Sequence, residues 1–391
     1  MKVAVVGQGY VGLPLAIAAN SAGHDVVGID LNSSLVDLLN NGKSPIGDLS
    51  DQQISSARKT GKYKAEVSFA AVNSSEVVVI CVPTPLNAVH EPDLSFLESA
   101  VRSVAQNLSE DVLIIIESTV SPGTTREMIV PILDTSKKVY RLAYSPERID
   151  PANKKWNVTN TPKLVAGLDE KSTKQAIDFY KTFIDSVIPG SSIEVIETAK
   201  LLENSFRLIN ISFINEIADF CSKMGIDVRE VVEAAATKPY GFMPFYPGAG
   251  VGGHCIPVDP SYLVAKAKAV GASTKFIDLA NNINRSLPTF FTGVATGILG
   301  TLKEKRILLV GIAYKPNVSD TRETPALGLI QALRAAGAKV SWHDELVNDW
   351  QGEQSSPLSE SYDLAILVNP HSDTNLAQLG SVKVLDTRGG Y

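Results

Sequence analysis

Three cysteines in 391 residues, Cys81, Cys221 and Cys255, are too few and too scattered for a disulfide framework or for a zinc site built on paired spacing, so each is read singly. Long apolar runs are missing as well. The longest, such as residues 77–82 and 113–116, fall far short of the roughly 20 residues a helix needs to cross a bilayer, and no membrane span is expected. Positive charge is not in excess, with 36 Lys and Arg against 42 Asp and Glu, and no stretch interleaves basic residues with aromatics. That argues against a nucleic-acid partner; an anionic ligand would need cations placed locally. Nor do residues 1–6 resemble an export signal, because they lead at once into a glycine-rich loop, and a cytoplasmic protein is expected.

What is present is ordinary globular composition, 44% hydrophobic and 20% charged, in a chain longer than one typical core, so two or three domains are expected. Residues 2–6 read as a strand, followed by a glycine-rich turn, a helix through residues 16–21 and a second strand at 25–30. This is a βαβ unit. Buried-strand runs follow at 77–82 and 113–117 with a helical pattern at 95–107 between them, which makes the strands parallel and the first domain doubly wound α/β. From about 197 to 224, Leu202, Phe206, Ile209, Phe213, Ile217 and Cys221 recur at three- or four-residue steps, the pattern of a long helical spine. After Pro288 and a further helix the rhythm restarts with a strand at 306–311, a helix at 325–336 and strands at 339–343 and 363–368, a second and smaller α/β domain.

Gly7-Gln8-Gly9-Tyr10-Val11-Gly12 follows a strand and opens a helix, where glycines permit a tight turn and let backbone amides approach a pyrophosphate. Asp30 ends the second strand at the spacing that reaches both ribose hydroxyls of NAD. A carboxylate there repels a 2′-phosphate and no Arg follows closely, so the expected cofactor is NAD and not NADP. The alternative is a strand-to-helix turn with no ligand.

Around Cys255 the chain reads PGAGVGGHCIPVD at 247–259, a backbone so stripped of side chains that a ligand can approach it. Cys81 and Cys221, by contrast, sit in apolar patterns and read as core. Asp259 lies one turn beyond Cys255 if a helix begins near Pro257; its alternative is a helix-starting acid. Lys200 and Asn204, four apart, share a helix face, and could equally be solvated.

Seven separated segments decide between these readings: GQGYVGLP at 7–14, VPTP at 82–85, ESTVSPGTT at 117–125, SPER at 145–148, AKLLENS at 199–205, GVGGHCIPVDP at 250–260 and YKPNVSDTRETP at 314–325. Together they resemble the UDP-glucose/GDP-mannose dehydrogenase family along nearly the whole chain. The resemblance implies two Rossmann-like doubly wound domains joined by a long central helix. It divides the chain into an NAD-binding domain at 1–190, a central helical dimerisation region carrying catalytic residues at 191–290, and a UDP-sugar-binding domain at 291–391.

It also implies oxidation of the C6 alcohol of a nucleotide sugar by two hydride transfers to NAD. Cys255 would capture the aldehyde as a thiohemiacetal that becomes a thioester and is hydrolysed. Lys200 and Asn204 would polarise the C6 oxygen, with Asp259 positioning Lys200 or a water; Thr119 and Glu147 would flank the reacting carbon, where a carboxylate can order the hydrolytic water or act as base. The plainer readings of Thr119 and Glu147 are a strand-end cap and a surface ion pair. Cofactor contacts fall on Gly7, Gly9, Tyr10, Val11, Gly12, Asp30, Pro83, Thr84, Thr119 and Arg322. Substrate contacts fall on Glu147, Arg148, Lys200, Asn204, Phe245, Tyr246, Gly250, Gly252, Gly253, Cys255, Lys315 and Arg388. No metal is expected.

The His254-Cys255-Ile256-Pro257 loop followed by Asp259-Pro260 resembles the branch acting on UDP-N-acetylhexosamines; in the UDP-glucose branch a Ser or Tyr usually precedes the Cys and a Lys the Asp. Tyr240 stands where the UDP-N-acetylmannosamine enzymes usually carry Arg, which favours UDP-N-acetylglucosamine and leaves Lys238 as a possible substitute. Residues 149–153 after SPER are again closest to the UDP-N-acetylglucosamine type, with Ala152 in place of a usual Gly. UDP-N-acetylmannosamine and UDP-glucose are the sister alternatives, and a non-catalytic NAD or nucleotide-sugar binder is the alternative of another class. The apolar surplus on the long helix predicts a homodimer or higher oligomer.

Overall fold

The computed structural model describes residues 1–150, 153 and 155–389; Pro151 and Ala152, the site of the Gly departure, lie outside them. The chain forms two compact bodies, Met1–Leu202 with Ser261–Gly271, and Glu203–Pro260 with Ala272–Tyr391.

In the first body lie β1 (Lys2–Val6), β2 (Asp25–Ile29), β3 (Tyr63–Glu66), β4 (Val77–Ile80), β5 (Val112–Ile116), β6 (Tyr140–Tyr144), β7 (Lys163–Gly167) and β8 (Val187–Pro189). They form one sheet in the order β3-β2-β1-β4-β5-β6-β7-β8. From β3 through β6 every pairing is parallel, while β7 runs antiparallel to β6. Val and Ile run on in these strands because both faces are covered. Val3, Val5, Val77, Val79, Leu113 and Ile115 pack into one core layer, and Ala4, Val6, Val78, Ile80, Ile114 and Ile116 into the other. Strand order reverses between β1 and β4, the point at which the carboxyl ends of a doubly wound sheet open a crevice for a ligand.

The runs read from sequence at 25–30 and 77–82 overshoot the strands by one or two residues, into loops that carry Asp30 and Val82. β3, β6, β7 and β8 are not evident in the sequence pattern; Lys64, Arg141 and Lys163 interrupt the apolar runs of three of them.

The second body holds β9 (Arg306–Val310), β10 (Lys339–His343), a short antiparallel hairpin of β11 (Asp349–Trp350) and β12 (Glu353–Gln354), β13 (Leu364–Leu367) and β14 (Lys383–Asp386). Its main sheet is parallel, in the order β10-β9-β13-β14. The helix Pro325–Ala335 starts with Pro at its first turn and Thr324 capping the Ala326 amide. Pro288 does not precede a helix but lies inside Lys275–Leu299. Proline in a helix interior costs about 3 kcal/mol. Here its ring packs on Gly328 of the helix Pro325–Ala335, where a Cβ would stand only 3.1 Å from Pro288 Cγ.

The long helix is Ile193–Met224, one turn longer at its start than the pattern from 197 indicates. Ile193 and Ile196 are buried and extend its apolar face. Cys221, on its far part, is buried in a cluster with Ile214, Ala218, Val228 and Val232. Among the described residues no helix is long and apolar enough to cross a membrane.

Candidate active site

The glycine loop after β1 divides its work as the sequence requires. A Cβ on Gly7, at φ +89°, would stand 2.6 Å from the Cys81 carbonyl oxygen, and one on Gly12 would stand 1.9 Å from the Gly7 carbonyl oxygen, so both glycines are demanded by the turn itself. A Cβ on Gly9 would meet nothing within 4 Å, which leaves the space a pyrophosphate needs to approach the backbone. No side chain caps the helix Gly12–Ser21 that follows. Asp30 accepts from the Gln8 amide at 2.9 Å and from the Asn32 amide at 2.9 Å, which holds its carboxylate beside the loop. These residues fit NAD: they offer an open backbone, an uncapped helix start and a fixed carboxylate for the ribose.

Apart from Lys200 on the long helix, the remaining first-body candidates stand on loops at the carboxyl ends of neighbouring strands. Thr84 follows β4, and its carbonyl accepts from the Tyr262 hydroxyl at 3.0 Å; the Val82 carbonyl beside Pro83 accepts from Ser118 Oγ at 2.7 Å. Thr119 follows β5. The segment beyond it is gripped by Glu197 of the long helix, which accepts from the Gly123 amide at 2.6 Å and from the Thr125 amide and hydroxyl at 3.0 and 2.7 Å. Burial raises the Glu197 carboxyl above its usual range against the pull of those bonds. Lys200, one turn on, is buried.

Glu147 follows β6. Its Oε1 accepts from the amides of Arg148 and Ile149, both at 2.6 Å, and its Oε2 lies 3.5 Å from Lys163 Nζ. Lys163 Nζ is also 2.9 Å from Glu117 Oε2 and stands 5.2 Å from the centre of the Tyr180 ring. Tyr180 donates its hydroxyl to Glu117 Oε1. Burial would lower Lys163, but Glu117 and Glu147 outweigh it and hold the ammonium above its ordinary value. Burial pushes the Glu117 carboxyl up, against the opposing effect of Lys163. Arg148 spends one guanidinium hydrogen on the Pro162 carbonyl at 2.8 Å, and Glu147, Arg148 and Lys163 line a small hollow.

In the second body, Cys255 is partly exposed while Cys81 and Cys221 are buried. Its carbonyl receives the amides of Val258 and Asp259 at 3.1 and 2.8 Å, so Cys255 sits at the entry to the helix Asp259–Ala269, which begins two residues later than Pro257. The loop before it is pinned from several sides. Asn215 Oδ1 accepts from the Gly248 amide and Asn284 Oδ1 from the Val251 amide, each at 2.9 Å, and the Gly253 amide donates to the Arg322 carbonyl at 3.1 Å. A Cβ on Gly252 would stand 2.7 Å from the Glu323 carbonyl oxygen, and one on Gly253, at φ +83°, 2.9 Å from the Tyr314 ring. Gly250, Gly252, Gly253 and the Tyr314–Lys315 segment are thus brought together.

Asn204 donates to Asp259 Oδ2 at 2.5 Å. Phe245 packs edge-on against Phe206, its ring centre 5.8 Å away, and Tyr246 is exposed. Arg322 and Arg388 each form a two-pronged pair with the aspartate two residues before, Asp320 and Asp386. Lys238 lies over the Tyr240 ring at 5.1 Å.

Sequence reasoning also missed a buried pair. Asp344, at the end of β10, accepts at Oδ2 from the amides of Ile312 and Ala313, and at Oδ1 from Leu346, Val347 and His371 Nε2. His371 Nδ1 in turn accepts from the Asn317 amide at 2.8 Å. A strand-end acid matching Asp30 was the available signal; the histidine had none.

Residues 1–184 match the UDP-glucose/GDP-mannose dehydrogenase family, NAD binding domain; 194–286 match its central domain and 308–388 its UDP binding domain. The chain belongs to the UDP-glucose/GDP-mannose dehydrogenase family. It is accordingly an NAD-dependent oxidoreductase of the UDP-sugar dehydrogenase class. It is 34% identical over 383 residues to UDP-N-acetyl-D-mannosamine dehydrogenase of Pyrococcus horikoshii, covering 95% of this chain and 90% of that one. It is 33% identical over 408 residues to UDP-N-acetyl-D-glucosamine 6-dehydrogenase of Pseudomonas aeruginosa, covering 98% and 95%. A solved structure of the P. horikoshii UDP-D-ManNAc dehydrogenase superposes with a TM-score of 0.92 at 32% identity over 99% of this chain and 95% of that one.

Proposed function

We propose that the chain oxidises the C6 alcohol of a UDP-N-acetylhexosamine to the uronic acid, with UDP-N-acetylglucosamine as first substrate and two NAD consumed per sugar. The observation that carries this is Cys255: a partly exposed thiol at the end of a closely packed glycine loop, in a chain whose other two thiols are buried. Cys255 captures the aldehyde, and the resulting thioester is hydrolysed. NAD, when bound, supplies the hydride acceptor. Asn204, oriented by Asp259, and Lys200 stabilise the oxygen of the reacting carbon; Thr119 flanks it and Glu147 orders the hydrolytic water. Gly7, Gly9, Gly12 and Asp30 bind the cofactor, and Lys315, Arg322 and Arg388 provide cations for phosphates.

Tyr240, in place of the Arg usual in the N-acetylmannosamine enzymes, supports the glucosamine epimer. The relative of P. horikoshii supports UDP-N-acetylmannosamine as the second reading. Incubation of pure protein with NAD and each UDP-sugar tests both: two NADH and one uronate per UDP-N-acetylglucosamine are expected, and fewer than two NADH, or faster turnover of the manno epimer, sinks the first reading. Cys255→Ser should transfer the first hydride slowly and make no acid; full acid formation would refute covalent capture.

We assign residues 1–190 to cofactor binding, 191–290 to the central region and 291–391 to the UDP-sugar domain, and the reaction to the cytoplasm, where it would supply a uronic acid for a surface polysaccharide. Phe206, Phe213 and Phe220, seven residues apart on the long helix, are all about half exposed, which supports a homodimer packed through that helix. A monomer by light scattering at micromolar concentration would refute this.

A further inference from the structure

A lysine held in a buried strand between two carboxylates needs a reason beyond stability. Replacing a buried ion pair with well-packed apolar groups is often neutral or stabilising, whereas the pair fixes geometry. Lys163 of β7 has a side chain 7% exposed, yet it carries its ammonium to Glu117 at 2.9 Å and to Glu147 at 3.5 Å. Glu117 is immobilised at its other oxygen by the Tyr180 hydroxyl, and the Tyr180 ring backs the ammonium. The anchored end of the chain of contacts is therefore Tyr180–Glu117–Lys163. Its other end is Glu147, whose Oε1 is held by two backbone amides and whose Oε2 faces Lys163 from a side chain 17% exposed.

We propose that Lys163 is a positioning residue for Glu147, fixing the carboxylate that orders the water in thioester hydrolysis. The inference rests on the role given to Glu147 above. In that step the oxygen of water bonds to the acyl carbon and the carbon–sulfur bond breaks, its electron pair going to Cys255 Sγ. One proton of the water passes to Glu147 and on to the departing thiolate, releasing the carboxylic acid and the free thiol. Both hydride transfers precede this step and need no ordered water, so loosening Glu147 slows hydrolysis selectively and leaves acyl-enzyme behind.

The test compares full-length wild type with Lys163→Met, Lys163→Arg, Glu147→Gln and the Lys163→Met/Glu147→Gln double variant. It follows NADH in a single turnover and the acyl adduct on Cys255 by intact-protein mass. Lys163→Met is expected to keep both hydride transfers within about twofold and to slow hydrolysis by about tenfold or more, with the adduct accumulating. Lys163→Arg should restore most of the rate, and the double variant should be no slower than Glu147→Gln alone. Lys163→Gln, which keeps a donor for Glu117, takes the same readouts if the Met variant does not fold. A parallel loss of hydride transfer and hydrolysis without adduct overturns the inference, as does an independent, multiplicative effect in the double variant. Slow hydrolysis in Glu147→Gln with normal hydrolysis in both neutral Lys163 variants overturns it alone. Wild-type hydrolysis in Glu147→Gln overturns it together with the reading beneath it.

Discussion

The amide of Asn204 and the carboxylate of Asp259 meet at 2.5 Å, joining a residue of the long helix to the first residue of the helix that follows the cysteine loop. The bond spends one amide hydrogen of Asn204 and fixes the orientation of the group. Asn204→Ala should lower kcat by about 10²-fold, the usual loss for one oriented donor to a developing oxyanion, with KM changed less than threefold. Asp259→Asn, which keeps an acceptor oxygen, should retain more activity than Asp259→Ala. Steady-state kinetics with one UDP-sugar checks both, and equal rates for the two Asp259 variants would remove the orienting role.

Gly253→Ala sets a methyl group against the Tyr314 ring at a backbone angle that side chains avoid. Overpacking of this kind costs about 1–3 kcal/mol. The variant should melt at lower temperature and turn over slowly. Tyr314→Ala in the same chain should recover part of the melting temperature, because the two positions touch. Additive losses in thermal unfolding would deny the contact.

Asp30→Ala should weaken NAD more than NADP. Loss of a charged acceptor from two ribose hydroxyls costs about 1.5–3 kcal/mol, or roughly ten- to a hundredfold in KM for NAD, while removal of the negative charge lets a 2′-phosphate approach. An unchanged ratio of kcat/KM for the two cofactors would contradict the placement of the carboxylate.

Much of this site was legible from sequence because its parts are local. The glycine turn and the cysteine loop each declare themselves within a dozen residues, since only glycine satisfies their backbone angles and close approaches. Lys163 was not legible: its partners Glu117, Glu147 and Tyr180 come from three other elements, and only the antiparallel placement of β7 beside β6 brings them together. Pro288 misled for the opposite reason, a strong local signal for a break that is overridden by packing on Gly328.

The pair of Asp344 and His371 should give the second body a pH-dependent stability. The hydrogen bond to Asp344 raises His371 above its ordinary 6.5, so its contribution is fully present below that value and is lost as pH rises through the raised one. Burial would raise Asp344, but the bond from His371 and the backbone amides hold it below its ordinary 3.8; that contribution is present above 3.8 and is lost as pH falls through the lowered value. His371→Gln should therefore lose more melting temperature relative to wild type at pH 5.5 than at pH 9. An equal loss at both would show that the histidine acts by packing alone.

Asp30 and Asp344 end the second strand of their respective sheets, yet their own chain occupies them to different extents: Asp30 accepts from the amides of Gln8 and Asn32. Asp344 is saturated from within by four amides and an imidazole, so the outlet a ribose would use is already filled. Under the role proposed for Asp30, two similar folds in one chain are sorted without a second recognition element, and an adenine dinucleotide is expected at one address per chain.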